Sequence, residues 1–406
     1  MAAVIAAPGP RKRFIPELLV VHAEELEYLW GRRRATATSP VFTLRHLTEL
    51  NERIEAHLQG LLVCGDCLPD LMTSVLRGKE RDTVSVAAYA LLRSPVRGHG
   101  RTVIDVFCGA DGQALSGLCD AFAVVGIDSV ENGLHGCLDG PDAARAAAAA
   151  LILATHRRLD PVLPRLTELL TSSEPSVARI AWKVVQILDG PCLPALPYSE
   201  AFKSKDPGIR DAALGAAVWR GEKWVPEVAR TLAEAGDSAA AQWLAAIGGM
   251  DAVPVMRHMV EQPERTPEQI RLAGRFGHPA MIEPLLQAMT SESVLDAATA
   301  GEAFTRIVGI PLEGHRQTLP VRGDADQFAR EFAQDVWVPD AAKAKVLWDH
   351  HRNTWRDGSR WCRGCEVSSS LKKDAQERID LQGFWDFGAR AALAGRRLFG
   401  PPVLSA

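Results

Sequence analysis

Apolar positions along most of this chain recur at three- and four-residue steps, the period of a helix with one face turned inward. Near the N-terminus Leu18, His22, Leu26, Leu29 and Trp30 fall on one such stripe, and Leu47, Leu50, Ile54 and Leu58 on a second. The later segments are shorter and each is fenced by a polar or glycine-containing break. Arg81-Asp82 opens Val84 to Leu92, Gly109 to Gly112 separates two short helices, and Asp139-Gly140-Pro141-Asp142 opens Ala143 to Leu159. Ser173-Glu174-Pro175 precedes Val177 to Leu188, and Lys205-Asp206-Pro207 precedes Ile209 to Trp219. Gly236-Asp237-Ser238 precedes Ala239 to Ile247, and Arg265-Thr266-Pro267 precedes Ile270 to Phe276. These are start and stop signals of helices joined by tight turns.

A proline recurs on top of that pattern, at Pro164, Pro194, Pro226, Pro254 and Pro284, with spacings of 30, 32, 28 and 30 residues. Each lies near the start of an apolar-periodic segment, where its missing N–H is tolerated because first-turn donors have no helical partner. A polar break and a second helical segment follow. A helix–turn–helix unit repeated at a near-fixed period predicts a solenoid, since one pair has too little surface to close a core and neighbours must stack. About eight pairs fit between Leu61 and Gly309.

The units resemble HEAT repeats, chiefly in the acid and arginine that bracket the second helix: Asp142 with Arg145, Glu174 with Arg179, Asp206 with Arg210. In that family such pairs form a ladder along the stack. The expected fold class is therefore all-α, a HEAT-like α-solenoid with an N-terminal helical cap over residues 1–60, repeats over 61–310 and a C-terminal helical module over 311–406. Pro311 to Asp326 reads as an irregular connection. Half of the ten tryptophans follow it, at Trp337, Trp348, Trp355, Trp361 and Trp385, serving either as a docking surface or as a small aromatic core.

A second resemblance spans nearly the whole chain. His22-Ala23-Glu24-Glu25, Leu29-Trp30 and Arg33, then Leu47 and the run from Glu52 to Leu61, resemble a family of uncharacterised bacterial proteins encoded beside type VI secretion spike and adaptor genes. Trp337-Val338-Pro339-Asp340, Trp348 and Gly358-Ser359-Arg360-Trp361 are similar to its C-terminal pattern. The resemblance implies a bacterial cytoplasmic accessory to effector delivery and brings no catalytic residues with it.

Alanine and leucine dominate the composition, which favours helix. A net charge of -4 supplies no field toward phosphate backbones, so a nucleic-acid partner is not expected. The basic cluster Arg11-Lys12-Arg13 follows the apolar opening instead of preceding it, the wrong order for a secretory signal, and no apolar run is long enough to span a bilayer. A soluble, cytoplasmic protein without membrane insertion is expected.

Among the eight cysteines, Cys64-Gly-Asp-Cys67 and Cys362-Arg-Gly-Cys365 have the spacing of thiolate metal ligands or a redox pair, and are weak metal candidates. Cys108, Cys119, Cys137 and Cys192 read as buried thiols inside helices. No His-Glu dipeptide, phosphate loop, dinucleotide fingerprint or nucleophile elbow occurs. Trp182, Trp219 and Trp243 recur about one repeat apart, as packing positions would.

The resulting expectation is a non-enzymatic scaffold, without cofactor, that binds a secretion effector, spike or adaptor protein. The candidate partner-binding residues are Arg179, Lys183, Arg210, Arg271 and Arg275 on the repeats, and Trp348, Trp355 and Trp361 beyond them. The alternatives are an immunity protein that neutralises a toxin, and a HEAT-like enzyme acting on nucleic acid or through a metal.

Overall fold

The computed structural model describes residues 15–38, 44–96, 98–160, 164–188, 196–319, 335–355 and 358–366. They are predominantly helical and fall into two compact units, one through Ala216 and one from Ala217 onward. The leading residues with Arg11 to Arg13, and also Cys192, Pro194 and Trp385, lie outside the described residues.

The first unit begins with α1 (Pro16–Thr38) and α2 (Leu44–Leu62), which pack along one another. Helix pairs follow: α3 (Leu68–Leu76) with α4 (Arg81–Arg93), α5 (His99–Phe107) with α6 (Gly112–Phe122), and α7 (Glu131–Leu138) with α8 (Ala143–Thr155). Next come α9 (Pro164–Leu170) with α10 (Pro175–Ile187), and α11 (Tyr198–Lys203) with α12 (Pro207–Arg220), inside which the unit boundary falls. The second helices touch in succession, α4 on α6, α6 on α8 and α8 on α10, while α3 meets α5 in a row of first helices. That is solenoid stacking, with a core running between the two rows.

The second helices are rich in small residues. Ala146 to Ala150 are all buried in α8, as are Ala213, Ala216 and Ala217 in α12. Alanine costs no side-chain entropy in a helix and lets neighbouring axes approach. Glycine takes this further in α6, where a Cβ on Gly117 would collide with the Arg81 carbonyl of α4 and lie 3.2 Å from Ser85 Oγ. Ser85 Oγ donates to both the Arg81 and Gly117 carbonyls, at 2.8 and 3.0 Å.

The second unit holds α13 (Val225–Glu234) with α14 (Ser238–Ile247), α15 (Val253–Glu261) with α16 (Pro267–Phe276), and α17 (Ile282–Ala288) with α18 (Val294–Val308). Here too the second helices touch in order, α14 on α16 and α16 on α18. Eight pairs thus lie between Leu68 and Val308 among the described residues, and the all-α solenoid class stands.

The starts of α8, α14 and α16 are those that the polar breaks predict: Asp142, Asp237 and Thr266 each cap a second helix by accepting a backbone N–H, and Thr266 with Gln269 completes a capping box. Ser293 caps α18 in the same way. The periodic prolines begin α9 and occupy the first turn of α13, α15 and α17.

Three details depart from the sequence reading. Leu18 is exposed while Leu19 is buried, so the inward stripe of α1 begins one position later than expected before it reaches Leu26, Leu29 and Trp30, which are buried as expected. Helix α8 stops at Thr155 instead of Leu159: Arg157 takes φ 59° and Arg158 N–H reaches back to the Leu153 carbonyl at 2.8 Å, closing the helix as a Schellman turn.

The third departure lies beyond Gly309, where the C-terminal module is not solely helical. Strands β1 (Gly314–Thr318) and β2 (Asp335–Pro339) pair antiparallel, followed by α19 (Ala341–His351) and a minimal hairpin of β3 (Trp361–Cys362) and β4 (Cys365–Glu366). The sequence His315-Arg316-Gln317-Thr318 has no apolar alternation, so β1 is held by its partner Val336-Trp337-Val338 and not by a buried face of its own.

Candidate interaction surfaces

The candidate arginines sit on second helices, and their partners lie nearby. In α10, Arg179 faces the start of the next second helix, 3.9 Å from Asp206, and also donates to the Pro175 carbonyl at 3.2 Å. Asp206 itself caps α12 by accepting the Ile209 N–H at 2.9 Å, while Arg210 donates to the Ser204 carbonyl at 2.7 Å. Arg145 pairs with Asp142 at 2.8 Å. In α16 Glu268 lies between Arg271 and Arg275, at 3.5 and 3.2 Å, and burial pulls the Arg275 guanidinium below its ordinary range. Lys183 is exposed.

A ladder of this kind is most complete nearer the N-terminus. Arg34 of α1 grips Asp82 of α4, and Arg81 of α4 forks onto both Asp120 oxygens of α6 at 2.7 and 2.9 Å. The hydrogen bond to Asp120 holds Arg81 above its ordinary pKa range. A bidentate arginine fork fixes orientation as well as charge, so two forks tie α1 to α4 and α4 to α6.

Below that ladder Tyr89 is fully buried, 4.9 Å in ring centroid from Trp30, and donates to Glu55 at 3.3 Å; Glu55 in turn pairs with Arg93 at 3.0 Å. Burial above all pushes the Tyr89 phenol up to about 12. His22 and His57 meet through their Nδ1 atoms at 3.1 Å, and the missing side chain of Gly60 leaves room for the His22 ring.

The three candidate tryptophans are brought together. Trp348 is buried, its ring 5.8 Å from Trp355, which lies 4.2 Å from Trp361. Their mutual packing makes them a small aromatic core. Trp337, by contrast, remains 48% exposed beside Glu313, His315 and Lys343 in a shallow depression. Trp182 is buried, and the Trp219 side chain lies outside the described residues.

That aromatic core is tied to the repeats through one arginine. Arg360 donates to the carbonyls of Ala245 and Ala246 at the end of α14, of Gly248 just beyond it, and of Arg275 and Phe276 at the end of α16, over distances of 2.5 to 3.3 Å. Trp361 N–H donates to the Gly277 carbonyl, and Arg363 and Gly364 N–H donate to Arg306 and Ile307 of α18. Arg360 and the hairpin backbone therefore satisfy the unpaired carbonyls of three consecutive second helices, and Arg360 places a cation at the negative ends of α14 and α16. Gly277 and Gly309, at φ 70° and 80°, end α16 and α18 where any Cβ would strike the hairpin backbone.

The weak metal candidates separate by unit. Cys64 is buried where α2 ends and Cys67 lies one turn on; Cys362 and Cys365 face each other across the two-residue turn of the β3–β4 hairpin. Among the described residues no three His, Cys, Asp or Glu side chains are grouped to hold a metal. No described helix is long and apolar enough to cross a membrane.

The surface that sequence reasoning passed over is the outer face of α1. Leu18, Val20, Val21 and Tyr28 are between 49% and 61% exposed, alongside exposed Glu17 and Glu24. Glu24, Glu27, Tyr28, Gly31, Arg32 and Asp82 line a shallow depression there. The signal was present: α1 carries apolar residues at positions that a single buried stripe cannot accommodate.

No family model matches the chain, and no curated protein matches it. Among solved structures it is similar to the Escherichia coli protein YibA, at 12% identity over 72% of this chain and 96% of that one, with a TM-score of 0.30. It is also similar to an engineered protein, at 15% identity over 90% of this chain and 99% of that one, with a TM-score of 0.30.

Proposed function

We propose that this protein is an interaction scaffold, with no chemistry of its own, that holds an effector, spike or adaptor protein of a type VI secretion system. The observation that carries the reading is the outer face of α1, where Val20, Val21 and Tyr28 are exposed among Glu17, Glu24 and Glu27. Exposed apolar side chains interleaved with acids suit a protein segment that is itself apolar and basic. The resemblance around His22 and the run from Glu52 to Leu61, which lie on α1 and α2, supplies the class of partner.

Affinity co-purification from a native lysate tests this. The wild-type chain is expected to recover a spike, adaptor or toxin, and the double variant Val21→Asp/Tyr28→Ala to recover at least 10-fold less, with retention falling at high salt. Recovery of none of these partners, or equal recovery by the variant, overturns the reading. Deleting the gene separates roles: loss of effector export fits the scaffold, whereas killing by sister cells fits neutralisation of a toxin and counts against it.

A further inference from the structure

Helices α5 and α7, the first helices of adjoining pairs, meet in register. A Cβ on Gly100 would lie 2.9 Å from Ser129 Oγ, and one on Gly133 would lie 2.5 Å from Ile104 Cγ1. One turn further along both chains, Cys108 Sγ and Cys137 Sγ are 2.8 Å apart. The contacts thus advance together, from Gly100 with Ser129, to Ile104 with Gly133, to Cys108 with Cys137, each four residues beyond the last, which places one face of α5 along the segment that contains α7. Ile104 and Phe107 of α5, and Leu134 and Leu138 of α7, are buried in the same core. The sulfurs are therefore brought together by the way these two segments run side by side, although 29 positions separate them. Both were expected to be buried thiols; instead Cys108, at the C-terminal cap of α5 just past the last core residue, is exposed, and Cys137 is half-buried.

We propose that Cys108 and Cys137 form a reversible dithiol–disulfide site whose co-reactant is a low-molecular-weight disulfide such as oxidised glutathione. The exposed Cys108 thiolate attacks one sulfur of the small disulfide; the S–S bond breaks, and one small thiol leaves as a mixed disulfide forms on Cys108. Cys137 then gives up its proton and attacks Cys108 Sγ, releasing the second small thiol. The protein is oxidised by two electrons, the small disulfide is reduced to two thiols, and the two protein thiol protons end on them. Burial, and then the hydrogen bond to Cys108, push the Cys137 thiol upward, in keeping with its acting second. The bond would staple two adjoining helix pairs across α6.

The test equilibrates the full-length chain in glutathione redox mixtures, followed by acid quench, alkylation and cleavage after Glu131, which separates Cys137 from Cys108 and Cys119. A Cys108–Cys137 cross-link with Cys119 alkylated is expected, lost in Cys108→Ser and Cys137→Ser and kept in Cys119→Ser. The oxidised wild type should melt on the order of 5 °C above the reduced form, a shift absent from the first two variants. Alkylation of both sulfurs at every redox ratio, glutathione retained on Cys108 alone, or a cross-link to Cys119 overturns the proposal.

Discussion

Arg157 occupies a place that this fold elsewhere gives to glycine. Gly221 and Gly236, at φ 72° and 88°, follow α12 and α13 in the same closing geometry, with Glu222 N–H on the Ala217 carbonyl and Asp237 N–H on the Leu232 carbonyl. A side chain in the left-handed region costs about 1 kcal/mol. Arg157→Gly should therefore raise stability by about 1 kcal/mol in urea unfolding while Arg157→Ala does not; equal effects of the two would refute the strain. Tyr89 makes a second prediction. Its folded-state pKa of about 12 lies above the ordinary 10.0, so the stability linked to its proton is complete below pH 10 and is lost as pH rises through 12. An absorbance titration of tyrosinate should show a late step near pH 12 that Tyr89→Phe removes. Neither residue could be singled out beforehand: a periodic pattern says which face is inward, but not which backbone is strained or which hydroxyl loses water.

Among the elements, the β3–β4 hairpin depends most on a single side chain. Replacing Arg360 by alanine strands the carbonyls at the ends of α14 and α16, and should cost on the order of 3 kcal/mol locally. Hydrogen exchange in residues 359–366 and in the last turns of α14 and α16 should rise together. Lysine should rescue only part, because a point charge cannot fork across carbonyls on two helices; full rescue by Arg360→Lys would show that charge alone suffices. The helices themselves were legible because their signals are local. Pro175, Pro207 and Pro267 start second helices, and capping side chains such as Asp142 and Thr266 act within three residues. Strand β1 was not legible, because what makes it a strand is Val336 to Val338, about twenty residues away. The clustering of Trp348, Trp355 and Trp361 was equally non-local, although the density of tryptophan announced that something was packed there.

At the scale of the whole molecule, each unit is a stack in which a helix pair leans chiefly on its neighbours, so damage should stay near its origin. Gly117→Ala forces α6 off α4 and should cost about 2 kcal/mol. Hydrogen–deuterium exchange should quicken most in α4 and α6, less in α8 and least in α10; uniform quickening across these helices would mean that the stack opens as one body. The repeat period disclosed this architecture, while the exposed face of α1 was obscured by treating that helix as a cap with one inward stripe. The alanines of the second helices carry a further consequence, for how such a chain drifts. Where a buried inner position already holds alanine, as Ala146 to Ala150 do, almost any replacement is an enlargement. Lineages descending from this sequence should therefore keep those alanines while their outer helices diversify, and new binding preferences would arise on the side that selection for packing leaves alone.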